Sequence, residues 1–322
     1  MTKKECVVAF DTSNYTTSAA ICDLNGQVIA NIKVPLPVKE GERGLRQSDA
    51  VFAHTKNLST VCDKLLQELE YLEPVAVGVS TVPRRVEGSY MPCFLCGVAA
   101  AHSFAAARSL PIYETSHQHG HIMAAMYSSG ATQRLMSRKF LAFHVSGGTT
   151  EALLVTPNAN AADFEIELVG ETNDINAGQL IDRVGVMMGL SFPCGKELEF
   201  LAARYSGKLE NRRICVNNCS CSLSGAENLA LKIYRDTQDK SAVAAFVFDF
   251  ICKTLCEMTK QILEKYGDMP VLYAGGVMSN KLMRTQISSK FDAHFAEPEF
   301  SADNAAGVAI LTQLKVMERS TV

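Results

Sequence analysis

No stretch of the 322 residues is apolar for long enough to cross a bilayer as a helix, and no charged leader ahead of an apolar run opens the chain. These absences predict a cytoplasmic protein with no membrane partner. An excess of positive charge is missing too: 31 Lys and Arg stand against 34 Asp and Glu, a net charge of -3. Proteins that hold nucleic acid by charge alone are strongly basic, so any RNA contact here needs a local patch or a partner. Cys93-x-x-Cys96 has no second CxxC to complete a zinc site, and Cys219-x-Cys221 is tighter still, so both read as structural or incidental. The Glu of the HExxH metallopeptidase motif is also absent. Gln118 holds its place in His117-Gln118-His119-Gly120-His121, and an amide cannot act as a general base, which argues against a zinc peptidase.

What is present is the makings of a globular protein. Hydrophobic residues are 47% and charged residues 20% of a chain long enough for two domains, so a sizeable core can form. The 11 cysteines are odd in number and lie in apolar segments, as at Cys6, Cys62 and Cys252, which suits a reducing compartment.

The periodicity predicts strands over Glu5–Phe10, Ser18–Asp23 and Gln27–Val34, the last two joined at Leu24-Asn25-Gly26. Val51, His54, Leu58, Cys62, Leu65, Leu66 and Leu69 recur at helical spacing, with Ser48 as the expected cap. A strand over Pro74–Thr81, an Ala-rich helix over Phe94–Leu110 expected to be buried on most sides, and a strand over Ile112–Thr115 follow. The apolar residues of the two helices read as core packing before interface. A second set begins with strands over Phe140–Val145, Glu151–Thr156 and Phe164–Val169. Helices over Ala177–Gly189, Ser224–Asp236 and Ser241–Tyr266, a strand over Val271–Tyr273, and helices over Asn280–Lys290 and Asn304–Glu318 complete it.

The two sets share residues as well as order. Ala9-Phe10-x-x-Ser13-x-x-Thr16-Thr17-x-Ala19 matches Ala142-Phe143-x-x-Ser146-x-x-Thr149-Thr150-x-Ala152 without a gap. Each is a strand entering a small polar turn and leaving as a strand. Internal repeats decide architecture before local detail does, and this one predicts two α/β lobes of the same topology. Turns rich in Ser, Thr and Gly offer N–H and hydroxyl donors to an anion such as phosphate.

Several segments can carry chemistry. On a helix, His117 and His121 project from one face and can share a metal; a solvated polar turn is the plain alternative. The Ser146-Gly147-Gly148 turn lets a ligand approach the backbone closely, or is simply a hairpin turn. Gly275-Gly276 leads from a strand to a helix start at Asn280, where a phosphate or ribose fits. Asp303 reads as an N-cap of the last helix or as a carboxylate completing a two-histidine site; spacing leaves both open.

Together these segments resemble one family, the tRNA threonylcarbamoyladenosine transferases, many once labelled O-sialoglycoprotein endopeptidases. The resemblance runs from about Val7 to about Leu311. It rests on His117-x-x-x-His121, Val145-Ser146-Gly147-Gly148, Ala177-Gly178 with Asp182-Arg183, Gly189-Leu190 with Pro193-x-Gly195, Ser222-x-Ser224-Gly225, Ala274-Gly275-Gly276-Val277 with Asn280, and Pro298-Glu299-Phe300 with Asp303-Asn304, all in the family's order.

The resemblance implies an α/β chain with the two-lobed actin-like ATPase and sugar-kinase fold, built of duplicated ribonuclease-H-like lobes. The lobes would be residues 1–125 with 305–322, and residues 126–304, with ligand and metal in the cleft between them. His117, His121 and Asp303 match the family's metal ligands, for Fe2+ or Zn2+, and His144 stands where some members place a further ligand. Ser146, Gly147, Gly148, Asp182, Gly195 and Asn280 match positions that hold an adenylate or ATP, Asp182 at the ribose. No catalytic residue is implied. The implied reaction is metal-dependent transfer of threonylcarbamoyl from threonylcarbamoyl-AMP to N6 of adenosine 37 in tRNAs reading ANN codons. The implied partners are tRNA, a second subunit of similar fold and a small ATPase.

The chain also departs from the family. Asn14, Tyr15 and Thr16 replace an acidic stretch of the first loop, and Thr149 replaces the His of Ser-Gly-Gly-His-Thr. Asn173-Asp174-Ile175-Asn176-Ala177-Gly178-Gln179 replaces Asp-Asp-Ala-Ala-Gly-Glu, Glu227 takes a lysine position, and Arg84-Arg85-Val86-Glu87-Gly88-Ser89-Tyr90 replaces a Gly- and Pro-rich stretch. These changes leave an alternative: a nucleotide-binding paralogue, non-catalytic or differently specific, that partners a tRNA-modifying complex.

Overall fold

The structure, a computed structural model, describes residues 3–13, 15–37, 45–158 and 162–320. In chain order the strands are β1 (Lys4–Thr12), β2 (Thr16–Asp23), β3 (Val28–Pro35), β4 (Leu72–Val82), β5 (Ile112–Ser116), β6 (Phe140–Val145), β7 (Thr150–Pro157), β8 (Phe164–Glu171), β9 (Cys215–Asn217), β10 (Ser220–Ser222), β11 (Val271–Ala274) and β12 (Ala293–Phe295). The helices are α1 (Gln47–Glu68), α2 (Phe94–Arg108), α3 (His117–Ser128), α4 (Thr132–Met136), α5 (Ala177–Met187), α6 (Gly195–Ala203), α7 (Ser224–Thr237), α8 (Lys240–Tyr266), α9 (Lys281–Ser288), α10 (Pro298–Ser301) and α11 (Ala306–Ser320).

The chain forms two compact units: Met1–Thr132 with Asn158–Phe164 and Glu299–Val322, and Gln133–Pro157 with Glu165–Pro298. The first unit is built on a sheet of order β3-β2-β1-β4-β5. β2 runs antiparallel to both β1 and β3, whereas β4 runs parallel to β1 and β5. β1 is buried from Cys6 onward because helices cover both of its faces: α2 on one, with α1 residues Val61 and Leu65 in the same core, and α11 on the other. A strand covered twice reads as an unbroken apolar run, here Cys-Val-Val-Ala-Phe. Phe10, Ile21, Leu65 and Val79 meet in the core under α1 and α2. Each such side chain contributes about 1.5–3 kcal/mol by leaving water.

The second unit repeats the plan, with sheet order β8-β7-β6-β11-β12. β6 and β7 are antiparallel, and β11 is parallel to β6 and β12. Phe143, Tyr273 and Phe295 stack across three neighbouring strands, with ring centroids 5.1 and 5.3 Å apart. The Tyr273 hydroxyl bonds Thr259 Oγ1 at 2.7 Å, which ties α8 to the sheet and satisfies a buried polar group.

The predicted repeat holds to the register. Phe10 faces Ala19 and Thr12 faces Thr17 in the first hairpin; Phe143 faces Ala152 and Val145 faces Thr150 in the second.

Three expectations need correcting. Ser48 does not cap α1. The helix starts one residue before it, with Arg46 at the cap and no side-chain cap bond, so Ser48 sits in the first turn. α2 is buried on one stripe only (Phe94, Cys96, Gly97, Ala101, Ala105), because alanine's single methyl group buries little apolar area and its abundance alone does not fix how many faces of a helix are covered. α6, with the small hairpin β9–β10 and strand β12, stands where no element was predicted. Among the cysteines, Cys93 and Cys96 are buried free thiols, as are Cys219 and Cys221.

Candidate functional site

The first cluster forms where β5 becomes α3. Ser116 is extended and caps the helix by accepting from His119 N at 3.3 Å, so helical geometry begins at His117. The four-residue spacing then sets His117 and His121 side by side, their rings edge to face with centroids 4.3 Å apart. Asp303 arrives from the far end of the chain. α3 and α11 touch backbone to backbone at Gly120 and Gly307: a Cβ on Gly307 would strike Gly120 O. That approach sets the residues just before α11 beside the face of α3 carrying the two imidazoles. Asp303 Oδ1 lies 3.1 Å from His121 Nε2 and 3.5 Å from His117 Nε2. Asp303 is therefore no helix cap; Asn304 Oδ1 accepts from Ala306 N at 3.0 Å and does that work.

Donor atoms of His117, His121 and Asp303 all lie within 4.8 Å of one another. Two imidazoles and a carboxylate at that spacing suit Fe2+ or Zn2+, which take nitrogen and oxygen donors readily. The residues present thus fit a metal of this class. The third histidine of the segment serves the fold instead. His119 is buried, stacks on Phe164 and bonds Ser116 Oγ and Phe164 O at 2.6 and 2.9 Å. Burial, and behind it the Arg85 guanidinium, push its pKa down to about 4.

Reasoning from the sequence missed Asp11. The predicted strand stopped at Phe10, but β1 continues to Thr12 and buries the Asp11 carboxylate completely. Its Oδ2 accepts from Ser80 Oγ at 2.6 Å and from His117 Nδ1 at 2.8 Å, and its Oδ1 from Ser13 N at 3.1 Å. Burial alone would raise the Asp11 pKa, but the His117 charge and these hydrogen bonds hold it below the usual range. Burial likewise works against a charged His117, yet Asp11 and Asp303 together lift it to about 10. Asp303 sits well below the ordinary carboxylate value, because the hydrogen bonds and charges of the two histidines outweigh its burial. An Asp continuing a buried strand was the one sequence signal for this residue. His54, also buried, holds the first turn from beneath through Ser13 O at 2.7 Å and Thr17 Oγ1 at 2.9 Å.

The second unit holds the remaining candidates. In the turn after β6, Ser146 N donates to Thr149 O at 2.7 Å, and Ser146 Oγ accepts from Gly148 N and Thr149 N. Gly147 and Gly148 are exposed, with open space where side chains would be. The start of α5 packs on this turn: a Cβ on Gly178 would lie 2.6 Å from Gly147 N, and Ala177 N donates to Thr150 Oγ1 at 2.9 Å. Further along α5, Asp182 Oδ1 accepts from Cys194 N at 2.9 Å, which fixes the segment entering α6 at Gly195. Burial raises the pKa of Asp182. Asn280 caps α9 through Met283 N at 2.9 Å, while its Nδ2 is buried without a protein partner. His144 lies on β6, opposite Glu151 in the hairpin and beside Ala274 of β11. Glu227, at the substituted lysine position, receives Arg183 Nη1 at 3.2 Å.

Comparison with known proteins supplies the context. The family model for tRNA N6-adenosine threonylcarbamoyltransferase matches residues 30–310. Among curated proteins, the tRNA N6-adenosine threonylcarbamoyltransferase of Streptococcus sanguinis (strain SK36) is 30% identical over 95% of this chain and 91% of its own length. That of Streptococcus pneumoniae (strain Taiwan19F-14) is 29% identical over the same shares, 95% and 91%. Among solved structures, T. kodakarensis HypF superposes with a TM-score of 0.60 at 11% identity, over 98% of this chain and 48% of that one. A second HypF, solved in a phosphate- and nucleotide-bound form, gives 0.58 at 13% identity over 99% and 56%, so this chain spans about half the length of both. A ROK family glucokinase from Streptomyces griseus, in complex with glucose and AMPPNP, gives 0.53 at 12% identity over 96% and 99%. At these identities the likeness is one of fold: the chain has the actin-like ATPase and sugar-kinase architecture of two lobes with mixed sheets.

Proposed function

We propose that this chain, which belongs to the tRNA N6-adenosine threonylcarbamoyltransferase family, transfers a threonylcarbamoyl group from threonylcarbamoyl-AMP to N6 of adenosine 37 in tRNAs that read ANN codons. The observation that carries the reading is the convergence of His117, His121 and Asp303, which no requirement of the fold explains. These residues would hold one Fe2+ or Zn2+. Such a metal supplies Lewis-acid polarisation of a bound carbonyl or phosphate oxygen.

The chain's own residues have distinct tasks. The Ser146-Gly147-Gly148 turn offers the Gly147 N–H and bare backbone to the phosphate, free of side chains that would block it. Asp182 accepts from the ribose with an oxygen held in place by Cys194 N. Asn280 Nδ2, buried and unpaired in the protein, donates to the nucleotide. Holding the donor this way lets the incoming amine meet the carbonyl at close range without further loss of freedom. The assembly would include tRNA, a second subunit of similar fold and a small ATPase.

A second reading is favoured by Arg183 and Glu227. Where the family carries a lysine, this chain has an ion pair whose guanidinium is already engaged, so less positive charge faces a polyanion. Nucleotide binding without transfer is the corresponding function.

The test is a calorimetric titration of metal-loaded and metal-stripped protein with threonylcarbamoyl-AMP and, separately, ATP, followed by transfer to tRNA with the partners present. Adenylate binding that depends on metal, and on His117 and Asp303, is the expected result. ATP binding alone with no transfer to tRNA would replace the first reading by the second.

A further inference from the structure

We infer that Asp11 is a positioning residue for the histidine cluster: with Ser80 it fixes the tautomer and ring orientation of His117, so that Nε2 and not Nδ1 is presented to Asp303 and His121. The inference rests on the reading that this cluster holds a metal.

The geometry leaves His117 little choice. Asp11 is fully buried, and both of its oxygens already accept, Oδ1 from Ser13 N and Oδ2 from Ser80 Oγ, so its carboxylate stands as an acceptor toward the ring. Its Oδ2, 2.8 Å from His117 Nδ1, therefore keeps a ring proton on Nδ1, so that Nε2 is the nitrogen left to give up its proton and bind a metal. Nε2 is the atom 3.5 Å from Asp303 Oδ1. The carboxylate cannot swing away from that duty. Asp11 stands on β1 and Ser80 on β4, neighbouring parallel strands paired from Val7 and Ala76 through Phe10 and Val79. Ser80 Oγ donates to Oδ2 at 2.6 Å, and Ser13 N holds Oδ1 at 3.1 Å. Phe94 packs edge-on against the His117 ring, its centroid 6.0 Å away, and limits rotation about the remaining torsion. A carboxylate set on rigid strands is what a metal-binding imidazole needs behind it, since it orients the ring and makes the coordinating nitrogen more basic.

The plain alternative is that Asp11 serves the fold alone, by tying the first turn and β4 together. The two roles separate in one experiment on the full chain. Asp11→Asn, Asp11→Ala and Ser80→Ala are prepared beside the unaltered protein. Zinc affinity is measured by competition with a chromogenic chelator, the visible spectrum is recorded with Co2+, and each metal-free protein is melted. Asn keeps the shape of Asp but can offer an amide N–H to Nδ1, which stabilises the tautomer with its proton on the coordinating nitrogen. Asp11→Asn is expected to weaken zinc binding by about 10–100-fold and to alter the Co2+ spectrum. Ser80→Ala, which loosens one anchor without removing the carboxylate, is expected to weaken it by less than about tenfold and carries the test if both Asp11 variants fail to fold. Zinc affinity and Co2+ spectra unchanged in every folded variant, with only the melting temperature lowered, would overturn the inference and leave the metal site standing. Absence of zinc binding by the unaltered protein would overturn both.

Discussion

The two turns that follow β1 and β6 occupy the same place in two sheets of the same order, and they solve different problems. In the first, the position corresponding to His144 is Asp11, whose carboxylate is closed in by Ser80, Ser13 and His117. Ser13 and Thr17 are buried, and His54 grips the turn from below. Side chains make this turn. In the second, Gly147 and Gly148 are open to solvent, Ser146 folds its hydroxyl back onto the turn, and Gly178 brings α5 against the bare backbone. Backbone makes this one. The difference teaches that a duplicated hairpin conserves register and sheet position, while the composition of four or five residues decides whether the turn presents fixed carboxylate and imidazole groups or exposed amides.

The sharpest way to break the contrast is to put a side chain where backbone meets backbone. Gly178→Ala places a methyl group 2.6 Å from Gly147 N. The start of α5 must then lift from the turn, at an expected cost of about 3 kcal/mol in denaturant unfolding and with loss of nucleotide binding. Gly147→Ala, by contrast, meets nothing within 4 Å. It should leave stability within about 0.5 kcal/mol while weakening nucleotide affinity. Equal stability losses for the two variants would show that the second turn is not held as described.

The first turn is tested from below. His54→Ala strands Ser13 O and the Thr17 hydroxyl in the interior, which is expected to cost about 2 kcal/mol in the same unfolding measurement. A loss within error of zero would mean that water or neighbouring groups replace the imidazole at no cost, and that the turn is less dependent on side chains than its burial indicates.

The smallest expected effect is a pH dependence in the second unit. Asp174 accepts from Leu223 N, Ser224 N and Ser224 Oγ at the start of α7. Partial burial opposes its ionisation, but these bonds win, and its pKa lies below the ordinary value of 3.8. A carboxylate depressed in the folded state stabilises the protein above its unfolded pKa, and that contribution disappears as pH falls through the folded value. The advantage of the unaltered protein over Asp174→Asn should therefore be constant near neutrality and fall away progressively as the pH drops below about 4. Its size should stay under about 1 kcal/mol, because the group is exposed and screened. An advantage persisting at pH 2 would show that shape and not charge joins the two segments.

Much of this architecture was legible in the residues. Strand periodicity located β1, β2, β6 and β7 to within two residues, and the matched spacing of Ala, Phe, Ser and Thr announced the duplication. Elements were missed where burial is slight and periodicity short: β9, β10 and β12 have three residues each, too few to show alternation. α6 hides in a segment whose buried residues are only Leu198 and Ala202. Ser48 misled because a hydroxyl beside a helix start reads as a cap, whereas the helix begins one residue earlier and leaves Ser48 inside its first turn.

The site divides along the same line. The sequence by itself showed that His117 and His121 share a face if the segment is helical, because four residues of helix put two side chains on one side whatever surrounds them, and it left a polar turn open. It determined that the turn at Ser146-Gly147-Gly148 has bare backbone, because glycine carries no side chain in any fold. It did not determine what Asp303 is for, and it did not reveal Asp11 as a partner of His117. Asp303 stands 182 positions from His121 and Asp11 stands 106 from His117. Only the contact of α3 with α11 at Gly120 and Gly307, and the register of β1 against β4, bring each carboxylate to its imidazole. Helical spacing acts over a few bonds and is written locally. Which charge meets which ring depends on how distant segments pack, and the tertiary structure decides that.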